Sequence, residues 1–464
     1  MAKNPLEIPG PLGASRRNRL LAGVRRRAYP TVALLGEVVP RAIDIAVSAA
    51  VLILLSPLLL MLALRSGRQR PGILVGSTLI GRYQVPFRRL SFAGAGRFRD
   101  VAVWLNVFRG DMAIVGPRPL TKEEAAAVPV EDLARFTVRP GLISPFRIRS
   151  HVGIAHQSES ALDRELVYSQ TVTGDVGLAA RSVVAGVLGG SGTPREMPPI
   201  LNFFGVPVVN TTMAEAVDWV VSKAAGRAPT LMAFVNPDCL NIAWEHADYR
   251  NLLRRADRVL PDGIGIHLGC RMLGQALKAN VNGTDMFPLL CEAAARKQLP
   301  IYLLGARPGI AQAAASNMVK RYPDLKIAGV RDGYFKPEEE AEVVDTINKS
   351  GARILLTAFG APRQELWLGR WRDKLEPPVG MGVGGLFDFY SGRIPRAPVW
   401  MREMGLEWVF RLMQEPGRMW RRYVVGNPLF LLRVRRQAKN PDKFALPEGV
   451  ERLAPVLPVE SRNA

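Results

Sequence analysis

The sequence predicts an α/β protein. The C-terminal half reads as an open, mostly parallel α/β sheet domain with a helical appendage, preceded by a small monotopic membrane-associated domain with a kinked re-entrant helix. Three observations carry that prediction. Short apolar runs alternate with helix-length stretches between residues 200 and 395, as strands separated by helical crossovers do. A single uncharged run, IAVSAAVLILLSPLLLMLAL, covers Ile45–Leu64. Arginines interleave with tryptophan, phenylalanine and leucine from Arg396 to Lys439.

Residues 1–39 are basic and read as a poorly ordered lead-in. The apolar run, at about 1.5 Å per residue, is about 30 Å long as a helix, enough to cross a hydrocarbon layer. A buried core helix rarely stays apolar on every face for that length. The run lies far from the N-terminus and lacks a small-residue cleavage site, which disfavours a secretory signal. Ser56-Pro57 sits mid-run, where proline removes a backbone hydrogen bond and kinks the helix. Arginines flank both ends, with Arg25, Arg26, Arg27 and Arg41 before and Arg65, Arg68 and Arg70 after. By the positive-inside rule both ends then prefer the cytoplasm, which a re-entrant helix satisfies and a straight span does not.

GGSGTPREMPP, Gly189–Pro199, is a linker by composition. It separates a domain at 40–188 from one at 200–395, after which come an appendage at 396–439 and a tail at 440–464. The tail is proline-spaced and polar enough to be loosely ordered. Past the linker, TLMAFVN, RVLPDG, PIYLLGARPG, LKIAGV and ARILLTAFGAPRQELW each supply an apolar strand, most of them leading into a helix. Ligands of such sheets sit at the carboxyl ends of the strands. Asn236-Pro237-Asp238, Pro261-Asp262-Gly263, Gly305-Ala306-Arg307-Pro308-Gly309 and Gly360-Ala361-Pro362-Arg363-Gln364-Glu365 all fall there. Helix N-termini and glycine turns suit a nucleotide diphosphate. One such turn is usually only tight packing; four in one domain form a pattern.

Asp262, held between proline and glycine at a strand end, is the preferred general base, able to take a proton from an attacking hydroxyl. Its residue type equally suits a helix N-cap. Gln364 and Glu365 either orient sugar hydroxyls or form the first turn of an exposed helix. The sequence lacks GxxxxGK[ST] and a clear DxD pair, which points away from an ATPase and toward a metal-independent reaction.

With 464 residues, 48% of them hydrophobic, the chain can build at least two cores. The formal net charge of +21 implies an anionic partner, whether nucleic acid, an acidic membrane surface or phosphorylated substrates. No recognised nucleic-acid-binding motif accompanies the charge, so nucleic acid is disfavoured. Cys239, Cys270 and Cys291 are far apart, which indicates neither a disulfide framework nor a zinc site and fits a reducing compartment. His151, His156, His246 and His267 lack a metal-type spacing and read as surface or packing residues.

From about Pro40 to Leu188 the chain resembles the bacterial sugar transferase family, monotopic polyprenyl-phosphate sugar-1-phosphate transferases. The matching pieces are RAIDIAV, the Ser-Pro kink, IGRYQVPFRRLSF, LNVFRGDMAIVGPRPL and VRPGLISPF. Arg118, between two prolines, offers a guanidinium suited to a phosphate. In that family an Asp-Glu dyad precedes the Asn-Val pair; on this chain Arg99 and Asp100 stand in its place. An arginine cannot become a carboxylate nucleophile. The resemblance thus implies a degenerate module kept as a membrane anchor, with Mg required only if it is active, Asp100 or Asp111 then serving.

From about Phe204 to Phe430 the chain resembles the WecB/TagA/CpsF glycosyltransferases, glycosyltransferase family 26. The residues that carry the resemblance are FVNPDCLN, VLPDGIGI, VNGTDMF, YLLGARPG, YPDLKIAG, GAPRQELW, GVGGLFDFYSG and RAPVWMREMGLEWVFRLMQEPGRMWRR. It implies inverting transfer of a sugar, for instance an N-acetylhexosamine such as ManNAc, from a UDP-sugar to a polyprenyl-diphosphate-linked sugar. The implied place is the cytoplasmic face of the bacterial inner membrane, in exopolysaccharide or cell-surface glycan synthesis, with no cofactor required by this domain. It implies Asp262 as base and Gln364 in the active site. Asn236, Gly263, Asn282, Asp285, Gly305, Arg307, Arg363 and Glu365 are expected around the substrates. Arg402, Arg411, Arg418, Arg421 and Arg422 of the appendage are expected to close over a diphosphate. Many members carry Glu-Arg where Ala279-Asn280 stands here. Membrane lipid is the remaining partner, and self-association is left open. Two rivals stand beside this reading: a bifunctional enzyme that also transfers a sugar phosphate, and a non-enzymatic membrane scaffold.

Overall fold

The computed structural model describes residues 38–66, 74–92, 96–152, 158–189 and 196–453. Most of the basic lead-in, His156, residues 190–195 of the linker and the tail beyond 453 lie outside the described residues. Two compact units emerge. One holds the described residues up to Arg147 and those through Ala180 that follow 157. The other holds the described residues from Ile148 to Val152 and from Arg181 onward.

The first unit opens with a helix over 38–54, a break at Leu55 and a helix Ser56–Ser66. The break falls at the Ser-Pro step, where proline cannot donate into the helical ladder; Ser56 Oγ donates instead to Ile53 O at 2.7 Å. Ile53 and Leu54 are 74% and 79% exposed. No helix among the described residues is long and apolar enough to cross a membrane. Strands β1 (Leu74–Ile80) and β2 (Pro86–Phe92) form an antiparallel hairpin. The helix Val103–Arg109 buries Val103, Asn106 and Val107. Asn106 explains its own burial: it accepts from Leu90 N and donates to Arg88 O and Asp111 Oδ2, tying hairpin to helix. Strands β3 (Ala113–Val115) and β4 (Gly141–Ile143) pair in parallel.

The second unit begins with an antiparallel pair, β5 (Ile200–Phe203) and β6 (Val206–Val209). Its centre is a six-stranded sheet of β7 (Thr230–Val235), β8 (Arg258–Pro261), β9 (Ile301–Gly305), β10 (Ile327–Arg331), β11 (Ile354–Ala358) and β12 (Val379–Gly382). The order is β10-β9-β11-β12-β7-β8, and every pairing is parallel. Helices cover both faces, so the strands read as continuous apolar runs rather than alternating ones. Side chains still alternate by position: Met232 and Phe234 join one core with Leu303, Leu356 and Met381, while Leu231, Ala233 and Val235 join the other with Leu304, Leu355 and Trp367.

The last helix of the appendage, Gly426–Lys439, buries Phe430 and Val434 in the second core. One sequence expectation is corrected here. The tail from Asn440 is not loose as far as 453, because Phe444 stacks against Trp244 at 5.3 Å and its carbonyl accepts from Asn202 Nδ2 at 2.7 Å. An aromatic anchor outweighs the polar, proline-spaced composition around it.

Candidate active site

The carboxyl ends of β7, β8, β11 and β12 converge on two adjoining cavities. The first, of about 130 Å³, is lined by Asn236, Asp262, Gly263, Asn280, Asn282 and Asp285 from the sheet side. Arg396, Arg402, Trp408, Arg411, Arg422 and Tyr423 line it from the appendage. The second, of about 450 Å³, is walled by Gly360, Gln364 and Gly382–Gly385, with Arg411, Arg418, Arg421 and Arg422 opposite. Asn236, Asp238, Asp262, Thr284, Arg411 and Arg422 belong to both.

Asp262 follows β8 directly, and its backbone N–H donates to Val235 O at 2.8 Å, fixing it beside β7. It does not cap the next helix: the N-cap of Ile264–Met272 is Gly263, without a side-chain bond. Gly263 has φ 95° and ψ 160°, a conformation open to glycine and strained for other residues. That turn frees the Asp262 carboxylate, which accepts no hydrogen bond among the described residues. Burial raises its pKa above the ordinary 3.8, opposed by the charges of Arg411 and Arg422 and reinforced by those of Glu407 and Asp285. Asn280 accepts from Gly263 N at 2.7 Å, so this neutral amide braces the turn beside Asp262.

Asn236 caps the helix Pro237–Glu245, accepting from Cys239 N at 3.1 Å. Asn282 caps Gly283–Arg296 through Asp285 N and donates to Asp285 Oδ2. Burial alone would raise Asp285, yet Arg396, bonded to it at 2.5 Å, holds it below its ordinary pKa. Arg402 stands 3.9 Å from the same carboxylate.

Gln364 and Glu365 are buried, 4% and 0% exposed, which corrects the exposed-helix alternative. Gln364 Oε1 accepts from Gly360 N and Gly384 N at 3.1 and 3.0 Å, pinning two loops of the second cavity together. Its Nε2 donates to Glu365 Oε1 at 2.6 Å. Burial pushes the Glu365 carboxyl up to about 7. The pair lies under β12 so closely that a Cβ on Gly382 would stand 2.7 Å from Glu365 Oε1.

The arginines carry a further signal. Arg396, Arg402, Arg411 and Arg422 each hold a buried Nε–H without a hydrogen-bond acceptor among the described residues. Their partial neutralisation comes from Asp285, Glu407 and Asp238. A short π-helical turn, Arg421–Val425, follows the helix Pro416–Trp420 and sets the local spacing of Arg421 and Arg422.

The structure therefore brings Asp262, Gly263, Asn236, Asn282, Asp285, Gln364 and all five named appendage arginines to the cavities. It does not bring Gly305, Arg307 or Arg363 there; Arg307 and Arg363 are exposed, the latter over Phe359 at 5.2 Å. Sequence reasoning missed Thr284, Arg396 and Glu407, and it quoted the Gly382–Gly385 segment only as a family motif, without placing it at the site. The signal for the turn was the short apolar run PPVGM before it, too brief to stand out as a strand. In the first unit, Arg99 is exposed and Asp100, 60% exposed, pairs with Arg89 at 3.0 Å. Arg118 is not left open to a phosphate, because Glu124 and Glu159 already hold it at 3.1 and 2.8 Å.

A sheet site with an unbonded carboxylate under an arginine-rich cover is suited to anionic, phosphorylated ligands. Residues 201–443 match the glycosyl transferase WecG/TagA/CpsF family, and residues 98–189 match the bacterial sugar transferase family. The chain belongs to the WecG/TagA/CpsF family and is a glycosyltransferase. It is similar to the N-acetylglucosaminyldiphosphoundecaprenol N-acetyl-beta-D-mannosaminyltransferase of Bacillus subtilis, 31% identical over 240 residues that span 52% of this chain and 92% of that one. A protein of the same name from Bacillus spizizenii is 34% identical over 187 residues, 40% of this chain and 72% of that one.

Proposed function

We propose that the protein transfers an N-acetylhexosamine, with inversion, from a UDP-sugar to a polyprenyl-diphosphate-linked sugar. The observation that carries this reading is the set of four buried arginine Nε–H groups without acceptors around one free carboxylate. An unsatisfied buried donor costs about 1–3 kcal/mol, and a diphosphate is the ligand richest in the acceptors these donors need. The names of the two relatives, with their mannosaminyl group and diphosphoundecaprenol acceptor, support the same substrates.

Asp262 takes the proton of the acceptor hydroxyl as its oxygen bonds to the anomeric carbon. The bond from that carbon to the UDP oxygen breaks, and UDP leaves with the electron pair. Glycine-walled and faced by Arg418 and Arg421, the second cavity takes the donor; the first, beneath Trp408 and Tyr423, takes the acceptor diphosphate. Arg411 and Arg422 reach both and offset charge developing on the leaving group. Arginine charge does here what a divalent cation does elsewhere, so the reaction proceeds without metal.

The first unit serves as a membrane anchor rather than a second catalyst, since Arg99 replaces a carboxylate and Arg118 is already paired. Ile53 and Leu54 there, and Trp400, Met413 and Trp420 among the appendage arginines, are exposed apolar groups suited to the lipid interface. The cytoplasmic leaflet is the side where both substrates meet. The test supplies UDP-N-acetylhexosamines with polyprenyl phosphate or with polyprenyl-diphosphate N-acetylglucosamine. UDP released with the second acceptor supports the reading; UMP released with the first would show a live sugar-phosphate transferase and overturn the anchor assignment.

A further inference from the structure

One buried carboxylate of the appendage lines neither cavity. Glu403, 1% exposed, ends the helix Val399–Glu403 and follows Arg402 in the chain. Its Oε1 accepts from Arg149 Nε at 2.8 Å and its Oε2 from Arg181 Nη1 at 2.6 Å. Both arginines precede the linker and lie outside the span 201–443 that matches the glycosyltransferase family, yet both belong to the second compact unit. This chain thus adds to its transferase domain two cations from outside the family's matched span.

Two charge-assisted bonds from separate segments fix a carboxylate in position far better than one. Through a single peptide link they also fix the backbone of Arg402, whose guanidinium stands 3.9 Å from Asp285 in the first cavity. We propose that Arg149, Glu403 and Arg181 form a strut that holds Arg402 over the acceptor cavity, so that residues before the linker set acceptor affinity. They are positioning residues, and the inference rests on the assignment of the first cavity to the acceptor diphosphate.

The test uses the full chain in detergent with a UDP-N-acetylhexosamine and polyprenyl-diphosphate N-acetylglucosamine. The variants are Arg149→Gln with Arg181→Gln, which strands the carboxylate, and Glu403→Gln, which removes the charge while keeping the shape. The expected result is an acceptor KM raised about tenfold in the double variant and about threefold in Glu403→Gln, as for weakened charge-assisted contacts. Donor KM and kcat stay within about twofold. Trypsin also cuts after Arg396 and Arg402 at least about tenfold faster in the double variant, a readout independent of turnover. Acceptor KM unchanged in both variants, or equal losses toward donor and acceptor, overturns the strut. If wild-type protein releases no UDP, the functional reading fails, and unchanged trypsin cleavage then overturns the strut separately.

Discussion

Asp262→Asn separates chemistry from folding with unusual clarity, because the side chain holds nothing else in place. The carboxylate accepts no hydrogen bond among the described residues, while the backbone bond to Val235 survives the change. Asparagine keeps the volume, so the thermal midpoint should move by no more than about 1 °C, the scale of a few tenths of a kcal/mol. A positioned general base contributes about 10²–10⁴-fold, so kcat should fall by that factor, about 3–5 kcal/mol of barrier. The pH profile supplies the sign. Burial raises the folded pKa of Asp262, so wild-type kcat/KM should fall as pH drops through an acid limb lying above 3.8, and the variant should lack that limb. UDP release measures both, kcat under saturating donor and acceptor and kcat/KM at acceptor concentrations well below KM. Turnover within about threefold of wild type, or an acid limb that persists in the variant, would refute the base assignment.

Glu365→Gln tests the buried carboxyl beneath the second cavity. With its pKa raised from 4.5 to about 7, its protonated form is favoured by folding. Stability is therefore fully present below pH 4.5 and lost as pH rises through 7, by about 3 kcal/mol. The variant should lack that loss; denaturant midpoints of the two proteins that run parallel between pH 4.5 and 8 would refute the burial argument. Gly382→Ala should destabilise by about 1–3 kcal/mol and impair turnover, since the new Cβ would press on Glu365 and Gln364; an unaltered melting curve would show that the pair can shift freely.

The sequence by itself determined five of the six strands of the large sheet and their order along the chain. TLMAFV, IYLLG and ILLTA are apolar without alternation because helices bury both faces of a parallel sheet. It also singled out Asp262, between a proline and a glycine at a strand end, but a helix N-cap suited the residue equally until the structure placed Gly263 at that cap. Asn236 was legible from its place at a strand end and Asn282 only from the family resemblance; that each caps its helix is a finding of the structure. What only the tertiary structure decided is which strand ends meet. The order β10-β9-β11-β12-β7-β8 puts β12, late in the chain, beside β7 and near Asp262, and leaves β9 with Gly305 and Arg307 away from the cavities. No local pattern encodes strand adjacency, because it follows from how helices of different size fill the two faces. The same holds for charge. The sequence offers many arginines, but Arg118 ends in hydrogen bonds to two glutamates, while Arg411 and Arg422 have single ion-pair neighbours at 3.6 and 3.4 Å and line the cavities beside Asp262. Whether a guanidinium is spent on a neighbour or held for a ligand depends on which carboxylates come within hydrogen-bond distance of it in the folded chain, a distance that spacing in sequence does not fix.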